Sequence, residues 1–240
     1  MPIAQTAGTQ HDVRAMFDRI AGRYRLMNTL MTLGRDRAWR RAVVRDAALP
    51  RGGRLLDLAS GTGDIALEAL RQHPDAQVVA ADFSLEMMRV GRRRPGGSRI
   101  AWCASDALAL PFPDASFDAV TSGYLLRNVA DRAGAFREQA RVVRPGGRVV
   151  CLDTSPPPRS PLRPLVRLHL RRVIPLLGRL VAGDRSAYAY LAASTEGFKD
   201  PEELAAAMRE AGLVEVRYRR FMGGTIAVHV GTRPAPQGSA

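Results

Sequence analysis

Between residues 54 and 153 short apolar runs alternate with stretches in which apolar side chains recur every three or four positions. The runs at 54–58, 77–81, 100–103, 117–122 and 148–153 are too short for helices and too evenly apolar for half-solvated strands. They predict strands buried on both faces, as in a parallel sheet. Helices are predicted over 64–72, after Ser84 as N-cap with Met87 and Met88 inside, and over 132–142. Arg144-Pro145-Gly146-Gly147 reads as a turn before the fifth strand. Strand and helix in alternation imply a doubly wound α/β fold. Upstream, Val13, Met16, Phe17 and Ile20 mark a helix over 11–22, and a second N-terminal helix carries Trp39, Val43 and Val44. Downstream, a helix near 201–211 precedes strands at 214–221 and 225–231, which flank Gly223-Gly224 as a hairpin. The sum is a seven-stranded, mostly parallel sheet closed by an antiparallel hairpin.

A chain of 240 residues suits one such domain with additions. Cys103 and Cys151 fall inside predicted strands and read as small core residues. His11, His73, His169 and His229 are scattered, so no metal site is expected. Residues 1–10 lack a signal-peptide stretch, and no apolar run reaches the ~18 residues of a membrane span, which leads to an expected cytoplasmic location. The net charge is +13, and Lys199 is the single lysine among 36 basic residues. Such arginine use is either genome composition or the mark of a polyanionic partner, nucleic acid or anionic membrane.

The most informative local segment is Asp57-Leu58-Ala59-Ser60-Gly61-Thr62-Gly63-Asp64, where a strand runs through a glycine turn into a helix. Such a turn sits at the carboxyl ends of the strands, where open α/β sheets bind ligands. The third glycine of the dinucleotide fingerprint is missing. Asp57 lies beside the turn, which suits a cationic ligand and would repel a pyrophosphate. Asp82 ends the next strand about 20 residues on, where a carboxylate can accept from both ribose hydroxyls. S-adenosylmethionine has a sulfonium, an ammonium and a ribose, and no pyrophosphate. It is the expected cofactor, with Ser60, Gly61, Thr62 and Gly63 forming the turn beneath it. Asp106 and Ala107, after the third strand, are expected at the adenine edge, and Phe83 against its face or in the core.

Longer segments carry a resemblance. They are Tyr24-Arg25-Leu26-Met27-Asn28 with Trp39, Leu110-Pro111-Phe112-Pro113-Asp114, and Leu126-Arg127-Asn128-Val129. Arg141 to Gly147, Tyr188-Ala189-Tyr190-Leu191-Ala192 and Gly223 to His229 extend it. Over about residues 12–232 the chain resembles the ubiquinone/menaquinone biosynthesis C-methyltransferases. It departs from their usual pattern at Arg25, Asp36, Tyr124, Leu125, Gly123, Asp153 and Ala193.

The resemblance implies a class I methyltransferase, Rossmann-like fold with a helical lid. It implies N-terminal helices over 1–50 that cover the cofactor site and a methyltransferase domain over 51–232 with a lid insertion at 156–195. A disordered tail is expected over 233–240. It also implies C-methylation of a prenylated quinol, demethylmenaquinol above all. Tyr24 is expected over the cofactor, and Ser122 or Gly123 beside it. Arg127 and Asn128 are expected on the substrate side, the first to stabilise an oxyanion and the second to orient a hydroxyl. Asp153, Tyr188 and His229 are expected as proton acceptors or orienters, or as structural groups. Six arginines between 159 and 181, interleaved with Leu and Val and without an acidic residue, make the lid either a membrane-interface segment on an anionic inner leaflet or a solvated basic face. A homodimer stays open. The alternatives are a methyltransferase for another phenol or heterocycle, an RNA methyltransferase, and a non-catalytic cofactor-binding subunit. The RNA reading lacks a stacking-aromatic pattern, so nucleic acid is not the expected partner.

Overall fold

The computed structural model of the protein describes residues 10–156, 168, 172–173, 176, 198 and 200–235. Most of the insertion at 156–195, with Tyr188, lies outside the described residues. So does the tail from 236 onward.

Seven strands form one sheet, β1 (Arg54–Leu58), β2 (Gln77–Asp82), β3 (Ala101–Ala104), β4 (Phe117–Gly123), β5 (Val143–Thr154), β6 (Val214–Phe221) and β7 (Ile226–Thr232). Their order is β3-β2-β1-β4-β5-β7-β6. Strands β1 to β5 are parallel, and β7 enters antiparallel between β5 and β6. From Leu55 to Leu58 every residue of β1 is buried, as its unbroken apolar run requires of a central strand. The Arg144–Gly147 turn interrupts β5. Phe117 pairs with Val143 and Ala119 with Arg148, so the extra residues loop out where Gly146 has a φ of 79°.

The described helices are α1 (Gln10–Ile20), α2 (Tyr24–Thr32), α3 (Asp36–Ala47), α4 (Asp64–Gln72), α5 (Leu85–Arg92), α6 (Arg132–Val142) and α7 (Pro201–Glu210). The N-terminal region thus holds three helices where the periodicity gave two. The Tyr24 segment is itself helical, and it stops because Leu33 and Gly34 turn left-handed with φ of 52° and 73°. The oxygen of Ser84 caps α5 by accepting from Met87 N at 3.2 Å. Asp131 and Asp200 cap α6 and α7, the latter with Pro201 at its first position.

One sheet face packs Leu55, Ala80, Val150 and Val228 under Trp39, Val43 and Val44 of α3 and Ile65, Ala66 and Ala69 of α4. The other packs Leu56, Val120, Val149 and Cys151 under Phe136 of α6 and Leu204 and Met208 of α7. A third cluster joins Met16, Phe17, Ile20 and Met27 to Met87 of α5. It sets α1 and α2 over the carboxyl ends of β1, β2 and β4. Among the described residues no helix is long and apolar enough to cross a membrane.

Candidate active site

Ala59, Gly61 and Gly63 all have positive φ, at 52°, 54° and 77°. Gly63 is required twice over, since a Cβ there would also stand 2.6 Å from the Trp102 ring. Two carboxylates fasten this turn. Asp57 accepts from Ala66 N at 3.0 Å and from Thr121 Oγ1 at 3.0 Å. Asp82 accepts from Gly61 N at 2.7 Å and from Ser84 N at 2.8 Å. The Phe83 backbone also reaches this carboxylate, and a carboxylate with about four lone-pair sites can still accept from a ligand beside these three. Burial pushes both carboxyls up, Asp57 to about 7 and Asp82 to about 6.

Two cavities open above the turn. The outer one, about 730 Å³ including the space open to solvent, is lined by Tyr24, Gly61, Asp82, Phe83, Asp106, Ala107 and Gly123 among the expected cofactor residues. Val13 and Phe17 of α1 and Met87 of α5 also line it. The inner one, about 370 Å³ on the same measure, is lined by Asp57 and Ser60 and shares Tyr24, Ala59, Gly61, Gly123 and Tyr124 with the outer. Two buried hydroxyls that reach these cavities, Ser60 Oγ and Ser105 Oγ, have no hydrogen-bond partner among the described residues. Orphaned buried polar atoms are rare, so the site is built to be completed by a polar ligand.

Thr62, Gly63 and Ser122 line neither cavity. Thr62 and Gly63 form the back of the turn, where the Thr62 carbonyl accepts from Arg94 at 2.7 Å. Ser122 is buried between Leu58 and Cys151 in the sheet, so its neighbour Gly123 faces the cavities instead.

Of the two residues expected on the substrate side, Arg127 lines neither cavity, whereas Asn128 lines the outer one and its Nδ2 donates to the Tyr124 carbonyl at 2.9 Å. The Arg127 guanidinium lies over the Tyr124 ring, 5.0 Å from its centre. Asp153 and His229 stand apart from both cavities. Asp153 is fully buried and accepts from Leu126 N at 3.0 Å, Thr154 N at 2.8 Å and the Arg127 backbone. Its carboxyl is pushed up by burial, and its geometry fixes the loop that presents Arg127 and Asn128. His229 bonds through Nε2 to the Pro201 carbonyl at 2.9 Å, with its ring 5.2 Å from that of Tyr218. Burial lowers it to about 4, so the ring is neutral at pH 7. Among the described residues both groups are engaged with backbone rather than with either cavity. Hydrophobic β7 neighbours turn His229 toward the α7 side, and no sequence pattern fixes that direction.

The sequence reading passes over Tyr124, Arg40 and Ser105. Tyr124 lines both cavities, has a φ of 59°, and carries a buried hydroxyl whose pKa is raised by burial. Its signal was the departure at 124–125. Arg40 sits on the same stripe as Trp39, Val43 and Val44, and a charge on a buried stripe was its signal.

Residues 5–233 match the ubiE/COQ5 methyltransferase family. The chain is similar to the ubiquinone/menaquinone biosynthesis C-methyltransferase UbiE of Desulfotalea psychrophila, 52% identical over 92% of this chain and 90% of that one. It is also similar to the demethylmenaquinone methyltransferase of Roseiflexus castenholzii, 48% identical over 92% and 93%. Among solved structures, a SAM-dependent methyltransferase of Thermotoga maritima superposes with a TM-score of 0.63 at 20% identity, covering 92% of this chain and 99% of that one.

Proposed function

Because the chain belongs to the ubiE/COQ5 methyltransferase family, we propose that it transfers a methyl group from S-adenosylmethionine to a ring carbon of demethylmenaquinol, giving menaquinol. The observation that carries this reading is Asp82, a backbone-anchored carboxylate on the wall of a cavity that also holds Phe83, Asp106 and Gly61. That set suits a ribose, an adenine edge and a face for stacking. S-adenosylmethionine supplies an electrophilic methyl on a sulfonium that leaves as a neutral thioether.

The protein's own part is alignment and charge. Asp82 and the glycine turn hold the donor side. Phe17, Phe83 and Met87 exclude water from it. Arg127, held over the Tyr124 ring, would stabilise a phenolate oxygen from behind that cavity wall, which makes the neighbouring ring carbon nucleophilic. Asn128 orients a hydroxyl there. The ring carbon that accepts the methyl would give up its C–H proton to solvent, which restores aromaticity. A second reading, an acceptor other than a prenylated quinol, is favoured by Tyr124 and Leu125, which line the outer cavity where the resembled family usually carries Phe-Gly.

The test is methyl transfer from labelled S-adenosylmethionine to demethylmenaquinol, beside a demethylated benzoquinol and an RNA. Transfer to the naphthoquinol is expected. None to either quinol overturns the proposal. Arg127→Ala is expected to lower turnover about 100-fold, the cost of one oxyanion donor, while cofactor affinity stays within threefold. Unchanged turnover would remove Arg127 from the mechanism.

A further inference from the structure

Helix α2 is apolar on two opposite faces. Met27 and Met31 turn inward to the cluster that holds Met16 and Phe17. On the other side Leu26 and Leu30, four positions apart, share the outward face and are 52% and 37% exposed. Leu33, just past the helix end, is 79% exposed. It also holds a left-handed φ of 52° at the C-cap, a conformation that favours glycine or asparagine. A leucine there strains the backbone and buries little within the chain, so the fold itself gives no reason for it. A helix with apolar residues all round calls for a partner on each face, and nothing among the described residues covers the outward one.

The charges around these leucines specify the partner. Arg25, Arg35 and Arg37 are exposed and belong to no ion pair among the described residues. Residues 19–45 hold eight arginines and a single carboxylate, Asp36, which is buried against Arg40 at 2.7 Å. A second copy docked through the same face would set arginine against arginine. The segment at 159–181, with six arginines and no acidic residue, would meet the same repulsion. Its described aliphatic residues, Leu168, Val173 and Leu176, are themselves exposed. A nucleic acid would engage the arginines but leave the leucines idle, and the face offers no exposed aromatic for a base to stack on. An anionic lipid leaflet uses both, with phosphates at the arginines and acyl chains at the leucines.

We propose that the outward face of α2, formed by Leu26, Leu30 and Leu33 with Arg25, Arg35 and Arg37 around them, docks the protein on an anionic lipid surface. Tyr24 and Asn28 line the cavities from the inward side of the same helix. Docking therefore sets the site one helix diameter, about 10 Å, from the lipid. None of these observations depends on the identity of the methyl acceptor, so the inference stands or falls apart from the quinol reading.

Cosedimentation of the full chain with phosphatidylcholine vesicles, with and without phosphatidylglycerol, tests it. Binding is expected only with phosphatidylglycerol and is expected to weaken as salt is added. Arg25→Gln/Arg35→Gln/Arg37→Gln should weaken it about 100-fold, at roughly fivefold per arginine. Leu26→Gln/Leu30→Gln/Leu33→Asn should weaken it about tenfold or more. All six positions are exposed, and far-UV circular dichroism of both variants is expected to match that of the wild type. A wild type that ignores phosphatidylglycerol, or two variants that bind vesicles as the wild type does, overturns the inference. A dimer lost in the leucine variant, or RNA binding lost in the arginine variant while vesicle binding persists, assigns the face to those partners and overturns it as well.

Discussion

Replacing Asp82 by Asn keeps the shape of the side chain and removes its charge. In the wild type the two carboxylate oxygens hold Gly61 N at 2.7 Å and Ser84 N at 2.8 Å. The amide can accept from one of these and turns an NH2 toward the other. One buried N–H then loses its partner, at about 1–3 kcal/mol of stability, or a few degrees in Tm for a chain of this size. Toward a ribose the loss is one charge-assisted hydrogen bond, about 1.5–3 kcal/mol, or roughly 10- to 150-fold in Kd for S-adenosylhomocysteine. A second signature separates this from general damage. Burial raises Asp82 to about 6, so acid protonates it within an accessible range. If the ionised form binds, wild-type Kd rises as pH falls through 6 and is about tenfold weaker at pH 5 than at its alkaline plateau. The Asn variant has nothing to titrate there, and any slope left in it belongs to Asp57, raised to about 7. Calorimetry between pH 5 and 8 on both proteins reads this directly. Identical slopes in wild type and variant would refute the ribose role of Asp82.

Asp153→Asn should lower kcat about 10- to 100-fold with S-adenosylhomocysteine affinity within threefold, because it loosens the Leu126–Arg127 backbone rather than the cofactor wall; steady-state kinetics with unchanged kcat would show that the loop holds itself. His229, depressed to about 4 from an ordinary 6.5, contributes stability that is present above pH 6.5 and lost as pH falls toward 4. Over that window urea melts of the wild type should lose about 3 kcal/mol that His229→Gln does not lose; parallel losses would mean that the ring titrates normally.

The parallel half of the fold was legible because its strands are buried on both faces, and unbroken runs such as Leu55-Leu56-Asp57-Leu58 have no other soluble use. The glycine turn was legible for a local reason, since Gly61 and Gly63 mark positive φ within five residues of a strand end. What failed to show depends on contacts between distant parts of the chain. Arg40 meets Asp64 across 24 residues, and its helix read only as an apolar stripe with charges around it. Asp153 ends its strand and His229 lies mid-strand as expected, but alternation in a twisted sheet sends Asp153 into the Leu126 loop and His229 beneath α7. Chemistry can be read from residue type, whereas the direction of a side chain waits on packing. Ala59, with a φ of 52°, shows the converse, a strained position that carries no glycine to announce it.

The placing of β7 between β5 and β6 has a consequence for how the chain is made. The last of the seven strands in chain order fills an interior slot, and it is fastened there by Arg233, whose N donates to the Gly147 carbonyl at 2.9 Å and whose side chain reaches the Arg141 carbonyl at 2.7 Å. A chain made only through β5 leaves that strand's far edge unpaired, a raw apolar border at Val149 and Cys151. Stalled, nicked or prematurely ended chains should therefore stick to one another rather than wait in a soluble, half-folded form.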